Sequence, residues 1–356
     1  MSAGEFAMPL MFNWTEIKNR DHGLTFDDVL IMPKKSEIRS RRDPSLRTQL
    51  TKNLFLETPI ISSNMDTVTE SKMAIAMNKF GGLGILHRFM NTEQQVIEIK
   101  AVVDSGAKII SASIGVNADF KERAASLINA GVNLMTIDIA HGHSVQMMDT
   151  LKWLKDTYPL VEVIAGNLAT PDAAIDLIEA GADAIKVGIG PGSMCTTRII
   201  TGCGVPQLTA IALCAEAAKS YGVPIIADGG FRTSGDMVKA FSAGASTIML
   251  GSMLSGTIET PGDIVNGKKQ YRGMASKKAQ VSWRGDMPQG MAPEGESTHV
   301  TVKGHVEDVL HELCGGIRSG MSYMNAVTIL EMRDKALFME MSSNGISESR
   351  AHGVRN

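Results

Sequence analysis

The sequence predicts an α/β fold of the (β/α)8 TIM-barrel type, and three observations support this prediction. Short apolar or β-branched segments recur at spacings of about 20 to 40 residues, each followed by a longer segment with helical periodicity. The repeat occurs eight times without separating into two blocks, which favours a closed barrel over an open doubly wound sheet. With 356 residues, of which 44% are hydrophobic, the chain is long enough for one barrel core with extensions.

The eight predicted strands are short, and the segments between them are typical of helices. The strands are predicted at residues 58–62, 84–87, 109–114, 134–139, 161–165, 184–187, 224–227 and 247–250. Residues 171–181 and 234–244 repeat one pattern, in which an early acidic residue is followed by a terminal glycine that often ends a helix. Helical periodicity over residues 306–336 predicts the segment that closes the barrel.

Three segments lie outside the repeat. Residues 271–302 are polar and contain glycines, which predicts a long mobile flap after the eighth strand. The polar tail, residues 339–356, is expected to be ordered only by contact with a neighbouring chain. Residues 1–8 include a second methionine and are interpreted as a cloning remnant or as disordered, which leaves residues 9–356 as a single catalytic barrel domain.

Charge and cysteine content limit the classes of partner. A net charge of −3 and a pI near 6.3 give no support for binding to nucleic acid or to a membrane surface. No apolar segment approaches the ~20 residues that span a bilayer, and the N-terminus lacks a signal-peptide pattern. Cys195, Cys203, Cys214 and Cys314 show neither metal-ligand spacing nor a disulfide framework, which predicts reduced thiols and a cytoplasmic location.

Cys195 lies in the most informative segment, residues 188–197, with the sequence GIGPGSMCTT. This segment follows the apolar run at residues 184–188, so we expect it at the carboxyl end of the sixth strand, where barrels place active sites. Glycines let backbone N–H groups approach an anion, and such a loop favours the thiolate form of an exposed cysteine. The loop predicts covalent chemistry on a phosphorylated small molecule, while the alternative is a small buried cysteine after a common glycine turn.

The loops after the seventh and eighth strands predict a phosphate site, because barrels often bind phosphate there. Asp228 would repel phosphate, so we expect it to accept hydrogen bonds from ribose hydroxyls instead. A tight strand-to-helix turn is the alternative interpretation of the Asp-Gly-Gly sequence at residues 228–230. The predicted phosphate cradle consists of backbone N–H groups and hydroxyls from Gly192, Ser193, Gly229, Gly230, Gly251 and Ser252.

Further polar residues follow the fourth strand and the cysteine loop. Asp138 is expected to bind a second sugar or to orient a catalytic group. His141 and His143 lack a third ligand at recognisable spacing, which predicts hydrogen bonding rather than metal binding. Thr197 is expected to position a leaving group or to pass a proton, and Glu294 to bind a base or shuttle protons. Loop capping by Thr197 and simple surface exposure of Glu294 are the alternatives.

Eight motifs, taken in chain order, resemble the IMP dehydrogenase / GMP reductase family. The resemblance extends over residues 22–350. The motifs are LTFDDVL at residues 24–30, NMDTVT at 64–69, DIAHGHS at 138–144, AGN at 165–167, GIGPGSMCTTR at 188–198, ADGG at 227–230, YRGM at 271–274 and GGIRS at 315–319.

The resemblance implies a role for each matching residue. It implies that Cys195 adds to C2 of the purine, with Thr197, Glu294 and Arg88 as further catalytic residues, although many members have lysine at the position of Arg88. It implies nucleotide contacts from Ser63, Met65, Asn167, Ser193, Asp228, Gly229, Gly230, Gly251, Ser252, Tyr271, Gly273 and Met274. It implies cofactor contacts from Asp138, Ile139, Ala140 and Gly188. Many members are tetramers that bind potassium, here through carbonyls of Gly190, Gly192 and Cys195.

The family includes two reactions, oxidation of IMP with NAD and reduction of GMP to IMP and ammonia with NADPH. Dehydrogenases usually carry CBS modules after the second strand, for which residues 87–111 leave no room. Their flap also bears an adjacent Arg-Tyr pair that activates water, whereas residues 275–293 contain no tyrosine and offer Arg284 as the candidate base. Both features favour GMP reductase. Residues 81–84 and 345–349 are closer to dehydrogenases, so an IMP dehydrogenase without CBS domains is the alternative, and a non-catalytic purine-nucleotide-binding protein is a second one.

Overall fold

Eight parallel strands form a closed barrel. The computed structural model describes residues 11–287, 289–349 and 351, so residues 1–8, interpreted above as a cloning remnant, lie outside the described residues. Ile248 of the last strand lies opposite Ile60 of the first, and this pairing closes the barrel. The TIM-barrel prediction is confirmed. The strands are Ile60–Ser62 (β1), Leu83–Leu86 (β2), Ser111–Ile114 (β3), Leu134–Asp138 (β4), Glu162–Leu168 (β5), Ala184–Val187 (β6), Ile225–Asp228 (β7) and Thr247–Leu250 (β8).

Helices surround the barrel, and their ends follow local capping rules. Thr170 and Thr233 each accept a hydrogen bond from an N–H group in the first turn of the helix that follows. Gly181 and Gly244 follow the same two helices with φ of 110° and 111°, as their sequence pattern predicts. None of the helices in the described ranges is long and apolar enough to cross a membrane. The α-helices are Ser71–Phe80 (α1), Thr92–Asp104 (α2), Phe120–Asn129 (α3), Val145–Thr157 (α4), Pro171–Glu179 (α5), Thr197–Thr201 (α6), Gln207–Ala218 (α7), Ser234–Ser242 (α8), Lys277–Arg284 (α9), Val306–Met324 (α10), Ile329–Lys335 (α11) and Ser343–Glu348 (α12).

The flap predicted after the eighth strand is built on an antiparallel ribbon. Lys268–Arg272 pairs with Ser297–Thr301, and α9 lies between these two strands in the sequence. The mobility of the flap stays a prediction. Beyond it, α10 packs against α8 and α1, as expected for a segment that closes the helical ring. Asn325, with a left-handed φ of 58°, separates α10 from α11 within the predicted helical segment.

The prediction for the tail was wrong at its start. Phe338–Glu340 pairs in antiparallel register with both Met11–Phe12 and Val29–Ile31 of the same chain. Phe338 is buried against Phe12, with ring centroids 5.8 Å apart. The polar composition of the following residues obscured this strand, whose partners lie near the other end of the sequence. The start of the tail is therefore ordered within its own chain.

Candidate active site

A cavity of about 590 Å³ opens at the carboxyl ends of the barrel strands. This is the end at which barrels place their active sites, and its volume is typical of a site for a small molecule. The barrel thus brings together the predicted catalytic, substrate, cofactor and potassium positions on one cavity wall. The predicted site residues that line it are Ser63, Met65, Arg88, Asp138, Ile139, Ala140, Asn167, Gly188, Gly190, Gly192, Ser193, Cys195, Thr197, Asp228, Gly229, Gly230, Gly251, Ser252, Tyr271, Gly273, Met274 and Glu294.

The cysteine loop turns sharply as it leaves β6. Gly188 has a φ of 152°, and a Cβ atom there would lie 2.0 Å from the carbonyl oxygen of Asp228. Only glycine fits this close approach between the ends of β6 and β7. The amide of Cys195 then donates to the carbonyl oxygen of Gly192 at 3.0 Å. Cys195 also forms an isolated antiparallel bridge with Gly295, which connects the cysteine loop to the flap.

Cys195, Thr197 and Glu294 form a continuous hydrogen-bonded chain. The thiol of Cys195 donates to Thr197 Oγ1 at 3.1 Å, and the hydroxyl of Thr197 donates to Glu294 Oε2 at 2.8 Å. The amide of Thr196 also donates to the carbonyl oxygen of Glu294 at 3.1 Å, which fixes this part of the flap against the start of α6. Such an arrangement can take a proton from a thiol and hold it on a carboxylate. The predicted proton roles of Thr197 and Glu294 therefore have a geometric basis.

The predicted phosphate cradle depends on close approach between loops. A Cβ atom on Gly251 would lie 2.9 Å from the hydroxyl oxygen of Tyr271, and one on Gly229 would lie 3.1 Å from the amide nitrogen of Gly192. The Tyr271 hydroxyl lies 3.4 Å from Ser193 Oγ. Burial raises the pKa of Tyr271, so its phenol stays neutral at physiological pH and can donate a hydrogen bond. The Ser193 and Tyr271 hydroxyls thus lie close to the glycines of the predicted cradle, and Arg232, two residues after Gly230, also lines the cavity.

A buried lysine, Lys186, lines the cavity, and the sequence interpretation missed it. Its side chain is 2% exposed, and its Nζ atom lies 2.7 Å from Asp138 Oδ1 and 3.0 Å from Asp228 Oδ2. Nζ also donates to Asn167 Oδ1. Nδ2 of the Asn167 side chain in turn donates to Asp228 Oδ2 at 2.9 Å and to the carbonyl oxygen of Gly188 at 2.7 Å. One ammonium group therefore joins the predicted cofactor carboxylate to the predicted ribose carboxylate.

Mutual attraction holds this cluster in its charged form. Burial alone would lower the pKa of Lys186, but the adjacent carboxylates of Asp138 and Asp228 raise it above its ordinary value. Burial alone would raise the pKa of Asp138, but Lys186 and, more weakly, Arg88 hold it below its ordinary value. Asp138 and Asp228 are 22% and 20% exposed, so each carboxylate can still accept hydrogen bonds from a ligand in the cavity.

A sequence signal for Lys186 was present. It is the charged residue in the run at residues 184–188, which was interpreted as apolar. Alternate strand residues share a face, so Lys186 faces the barrel interior together with Ala184, a member of the inner apolar cluster. A buried lysine requires charged partners. An inward lysine near the end of a barrel strand therefore indicated carboxylates on neighbouring strands.

Arg88 forms part of the cavity wall beside Asp138. Its guanidinium lies over the ring of Phe89, 4.7 Å from the centroid, and its Nε atom has no hydrogen-bond partner among the described residues. Burial lowers the pKa of Arg88, while nearby Asp138 opposes that effect. A buried donor without a partner at the cavity wall fits a polar group of a bound cofactor. Arg88 thus lines the cavity, and its catalytic role stays a prediction.

The two histidines after β4 have separate surroundings. His143 Nε2 lies 2.8 Å from Asp176 Oδ2, in a partly exposed pair away from the cavity wall. The rings of His141 and His143 meet edge to face, with centroids 6.5 Å apart. Within the described part of the chain, no group of three His, Cys, Asp or Glu residues is placed to hold a metal ion. Hydrogen bonding by His143 is therefore observed, and it is directed towards α5.

The potassium prediction concerns backbone carbonyls of the cysteine loop. The carbonyl oxygen of Gly192 already accepts from the amide of Cys195. The Arg198 guanidinium donates to the carbonyl oxygens of Ile189 at 3.2 Å and Val205 at 2.5 Å, neither of which is a predicted potassium ligand. The observed contacts of these carbonyl oxygens thus give no independent support for a potassium site.

Comparison with known proteins gives consistent matches. Residues 23–352 match the model of the IMP dehydrogenase / GMP reductase domain. The inosine-5′-monophosphate dehydrogenase of Cryptosporidium parvum is 42% identical over 95% of this chain and 96% of its own length. The GMP reductase of Leishmania major is 34% identical over 93% of this chain and 97% of its own length. The crystal structure of a variant of Trypanosoma brucei GMP reductase in complex with guanosine 5′-monophosphate has a TM-score of 0.89 and 33% identity, covering 96% of this chain and all of that one.

Two of these relatives differ in how much sequence they contain beyond the length of this chain. The alignment with the Leishmania major GMP reductase extends over 478 positions, well beyond the 356 residues of this chain. The alignment with the Cryptosporidium parvum dehydrogenase extends over 390 positions. A relative named as a reductase therefore contains a long segment without counterpart here, while a relative named as a dehydrogenase contains a shorter one. The absence of an insert does not distinguish the two reactions.

Proposed function

This chain belongs to the IMP dehydrogenase / GMP reductase family, a family of oxidoreductases that use a nicotinamide cofactor, and from this premise we propose that it is a GMP reductase. The proposed reaction converts GMP, NADPH and one proton to IMP, ammonia and NADP⁺ through a covalent bond between Cys195 and C2 of the purine. The observation that carries the proposal is the hydrogen-bonded chain from Cys195 through Thr197 to Glu294. That chain supplies the proton that a departing amine needs.

The first half of the reaction is a substitution at C2. Cys195 Sγ bonds to C2 while its proton passes through Thr197 to the Glu294 carboxylate. The same proton then returns through Thr197 to the exocyclic nitrogen, the C2–N bond breaks, and ammonia leaves. The thiol proton thus ends on ammonia, so this half-reaction requires no external acid. Thr197 and Glu294 thus carry the same proton in both directions.

The second half of the reaction forms IMP. NADPH, when bound, would supply the hydride that C2 accepts. The C2–S bond then breaks, Cys195 leaves as thiolate, and the thiolate takes up one proton from solvent before the next turnover. Asp138 accepts hydrogen bonds from the cofactor, and Arg88 contributes the unpartnered Nε donor beside it. Asp228 binds the ribose of the nucleotide, and the loops around Ser252 hold its phosphate. Because the pKa of Asp138 is lowered, it is ionised at physiological pH and serves as an acceptor.

The flap favours the reductase over the dehydrogenase. The reductase releases ammonia and requires no hydrolytic water, whereas the dehydrogenase must hydrolyse its adduct. Residues 275–293 contain no tyrosine, and Arg284, the candidate base, is exposed and is not among the residues of the cavity wall. Water activation by the flap therefore has no support in the described arrangement.

IMP dehydrogenase is the second candidate, and one specific finding favours it. Relatives named as inosine-5′-monophosphate dehydrogenases reach 42% identity, compared with 34% for the relative named as GMP reductase. Overall sequence identity is an average over all aligned positions, whereas the direction of the reaction depends on a few residues of the relay and the flap. We therefore give the site more weight than the overall identity.

A paired assay tests the proposal. The purified protein is mixed with GMP and NADPH, and the absorbance of reduced nicotinamide is followed together with ammonia release; a second mixture contains IMP and NAD. We expect turnover in the first mixture. Turnover in the second mixture alone would establish the dehydrogenase. Tight binding of GMP or IMP by calorimetry, with no turnover in either mixture, would identify a nucleotide-binding protein without catalysis.

We further propose that the protein is a cytoplasmic homotetramer. The four cysteines are free thiols, which suits a reducing compartment. Ile199 and Ile200, just after the cysteine loop, are 83% and 48% exposed and would be covered by a neighbouring subunit. Analytical ultracentrifugation tests this proposal, and a monomer at micromolar concentration would contradict it. The same assays with and without potassium chloride test whether that ion is required.

A further inference from the structure

Carbonyl oxygens of the loop after β8, residues 251–260, surround a single side-chain nitrogen. Nζ of Lys269 lies 3.2 Å from the carbonyl oxygen of Thr257, 3.1 Å from that of Ile258 and 2.6 Å from that of Thr260. Thr260 Oγ1 is a fourth neighbour at 3.3 Å. The same loop carries Gly251 and Ser252 of the predicted phosphate cradle.

Lys269 is an unusual buried cation. The residue is 4% exposed, and it forms no ion pair with a carboxylate of the described residues. Burial lowers its pKa, although Glu259 nearby opposes that effect. An ammonium group surrounded by neutral oxygens is costly to bury unless those oxygens replace its water shell. Several carbonyl oxygens around one small cation is also how proteins coordinate dehydrated monovalent ions.

The strand that carries Lys269 also carries a residue of the cradle. Lys269 and Tyr271 are the two buried positions of Lys268–Arg272, and alternate strand residues face the same side. The Tyr271 hydroxyl lies 3.4 Å from Ser193 Oγ. The ammonium group therefore connects the loop after β8 with the strand that places the phenol.

A second lysine, Lys303, also joins the ribbon to the loop after β8. Nζ of Lys303 donates to the carbonyl oxygens of Met253 at 3.0 Å and Ser252 at 3.4 Å, and its amide donates to the carbonyl of Gly256 at 2.7 Å. Lys303 follows the other ribbon strand, Ser297–Thr301. Both sides of the ribbon thus donate to the same loop, but the Lys269 ammonium has more oxygen neighbours and is more deeply buried.

We propose that Lys269 occupies an oxygen-lined monovalent-cation site and is a positioning residue for the phosphate cradle. Its ammonium group replaces a bound ion, holds the loop after β8 in one conformation, and keeps Tyr271 directed at that loop. The role assigned to the cradle rests on the proposed function, but the cation site does not depend on which reaction the enzyme performs.

Chemical rescue tests the proposal. Lys269→Ala removes three carbons and one nitrogen, which are the heavy atoms of propylammonium. We expect this variant to melt roughly 5 °C lower than the natural protein and to show a KM for GMP raised at least about fivefold, with kcat changed less. Propylammonium chloride should restore part of both losses. Tetramethylammonium chloride at the same concentration should restore neither, because it has no N–H group to donate.

Two further variants control this experiment. Lys268→Ala removes the exposed neighbour on the same strand, and we expect neither a KM change nor a response to propylammonium. Lys269→Met fills the space without a charge, so it should keep the raised KM and not respond to propylammonium. If Lys269→Ala does not fold, the yield of refolding with and without propylammonium gives the same comparison.

The outcomes are distinct. An unchanged melting temperature and KM in Lys269→Ala, or equal rescue by tetramethylammonium, would overturn the proposal. Failure of the GMP reductase assay would leave the melting experiment in force, with nucleotide affinity measured by calorimetry in place of KM. A cation-dependent recovery of melting temperature without recovery of nucleotide affinity would retain the cation site but contradict the positioning role.

Discussion

The relay at Cys195 and the charged cluster at Lys186 lie in one cavity but are built differently. The relay joins a loop, the start of α6 and the end of the flap, and its three side chains are only partly buried. The cluster joins β4, β6 and β7 at their carboxyl ends, around a lysine that is 2% exposed. In the proposed mechanism, the bond-making groups thus lie on a loop and on the flap, while the groups that align ligands belong to the barrel strands. The difference predicts that variants of the relay lose rate and that variants of the cluster lose stability and binding together.

The largest expected effect is in the relay. Cys195→Ala removes the nucleophile, so kcat should fall by at least about 10⁴-fold with little change in melting temperature. Cys203→Ala is the matched control, because Cys203 is exposed and lies outside the cavity. Steady-state kinetics and thermal melting measure both effects. Residual turnover of Cys195→Ala close to the natural rate would refute a covalent step.

The next effect concerns the far end of the relay. Glu294→Gln keeps the shape of the side chain but removes the proton acceptor, and we expect kcat to fall roughly 10³-fold while GMP still binds. Glu296→Gln, two residues further on and exposed, should behave like the natural protein. Single-turnover measurement of ammonia release locates the loss in the first half-reaction. A loss confined to hydride transfer would contradict the role given to Glu294.

A substitution in the charged cluster should lower the free energy of unfolding. Lys186→Met leaves Asp138 and Asp228 without their shared cation, and breaking such a buried pair costs about 3–5 kcal/mol of unfolding free energy. Lys18→Met breaks an exposed pair with Glu216 and should cost less than about 1 kcal/mol. Urea unfolding compares the two variants. Equal stability of both would show that the buried cluster has no structural role.

The smallest expected effect is the pH dependence of the cluster. The pKa of Lys186 is raised above 10.5, so its contribution to stability is complete below about pH 10 and declines as the pH rises through the raised value. The pKa of Asp138 is lowered below 3.8, so its contribution is complete above about pH 4 and declines as the pH falls. The difference in unfolding free energy between the natural protein and the Lys186→Met/Asp138→Asn/Asp228→Asn triple variant, which leaves no unpaired carboxylate of the cluster, should therefore be constant from about pH 5 to pH 9. A difference that changes with pH within this range would contradict the conclusion that Lys186 and Asp138 are both charged.

Local patterns predicted most of the barrel but fewer of the contacts in the site. Strands such as Ala184–Val187 and helix ends such as Gly181 depend on residues within one turn or one strand, so periodicity and glycine placement located them. Lys186 was missed because the run at residues 184–188 was interpreted as apolar, although an inward lysine indicated carboxylates on neighbouring strands. The tail strand Phe338–Glu340 was missed because polar residues follow it and its partner strands lie near the other end of the sequence.

The eight strands, the glycine loop that carries Cys195 and the polar residues at the strand ends all follow from local patterns in the sequence. The contacts between side chains of the site follow from the fold of the whole chain. Thr197 and Glu294 are separated by 97 positions, and Lys186 lies 48 positions from Asp138 and 42 from Asp228. The physical reason is that hydrophobic periodicity and backbone propensity act over a few residues, whereas these contacts form only when barrel closure offsets the entropy of the long intervening segments.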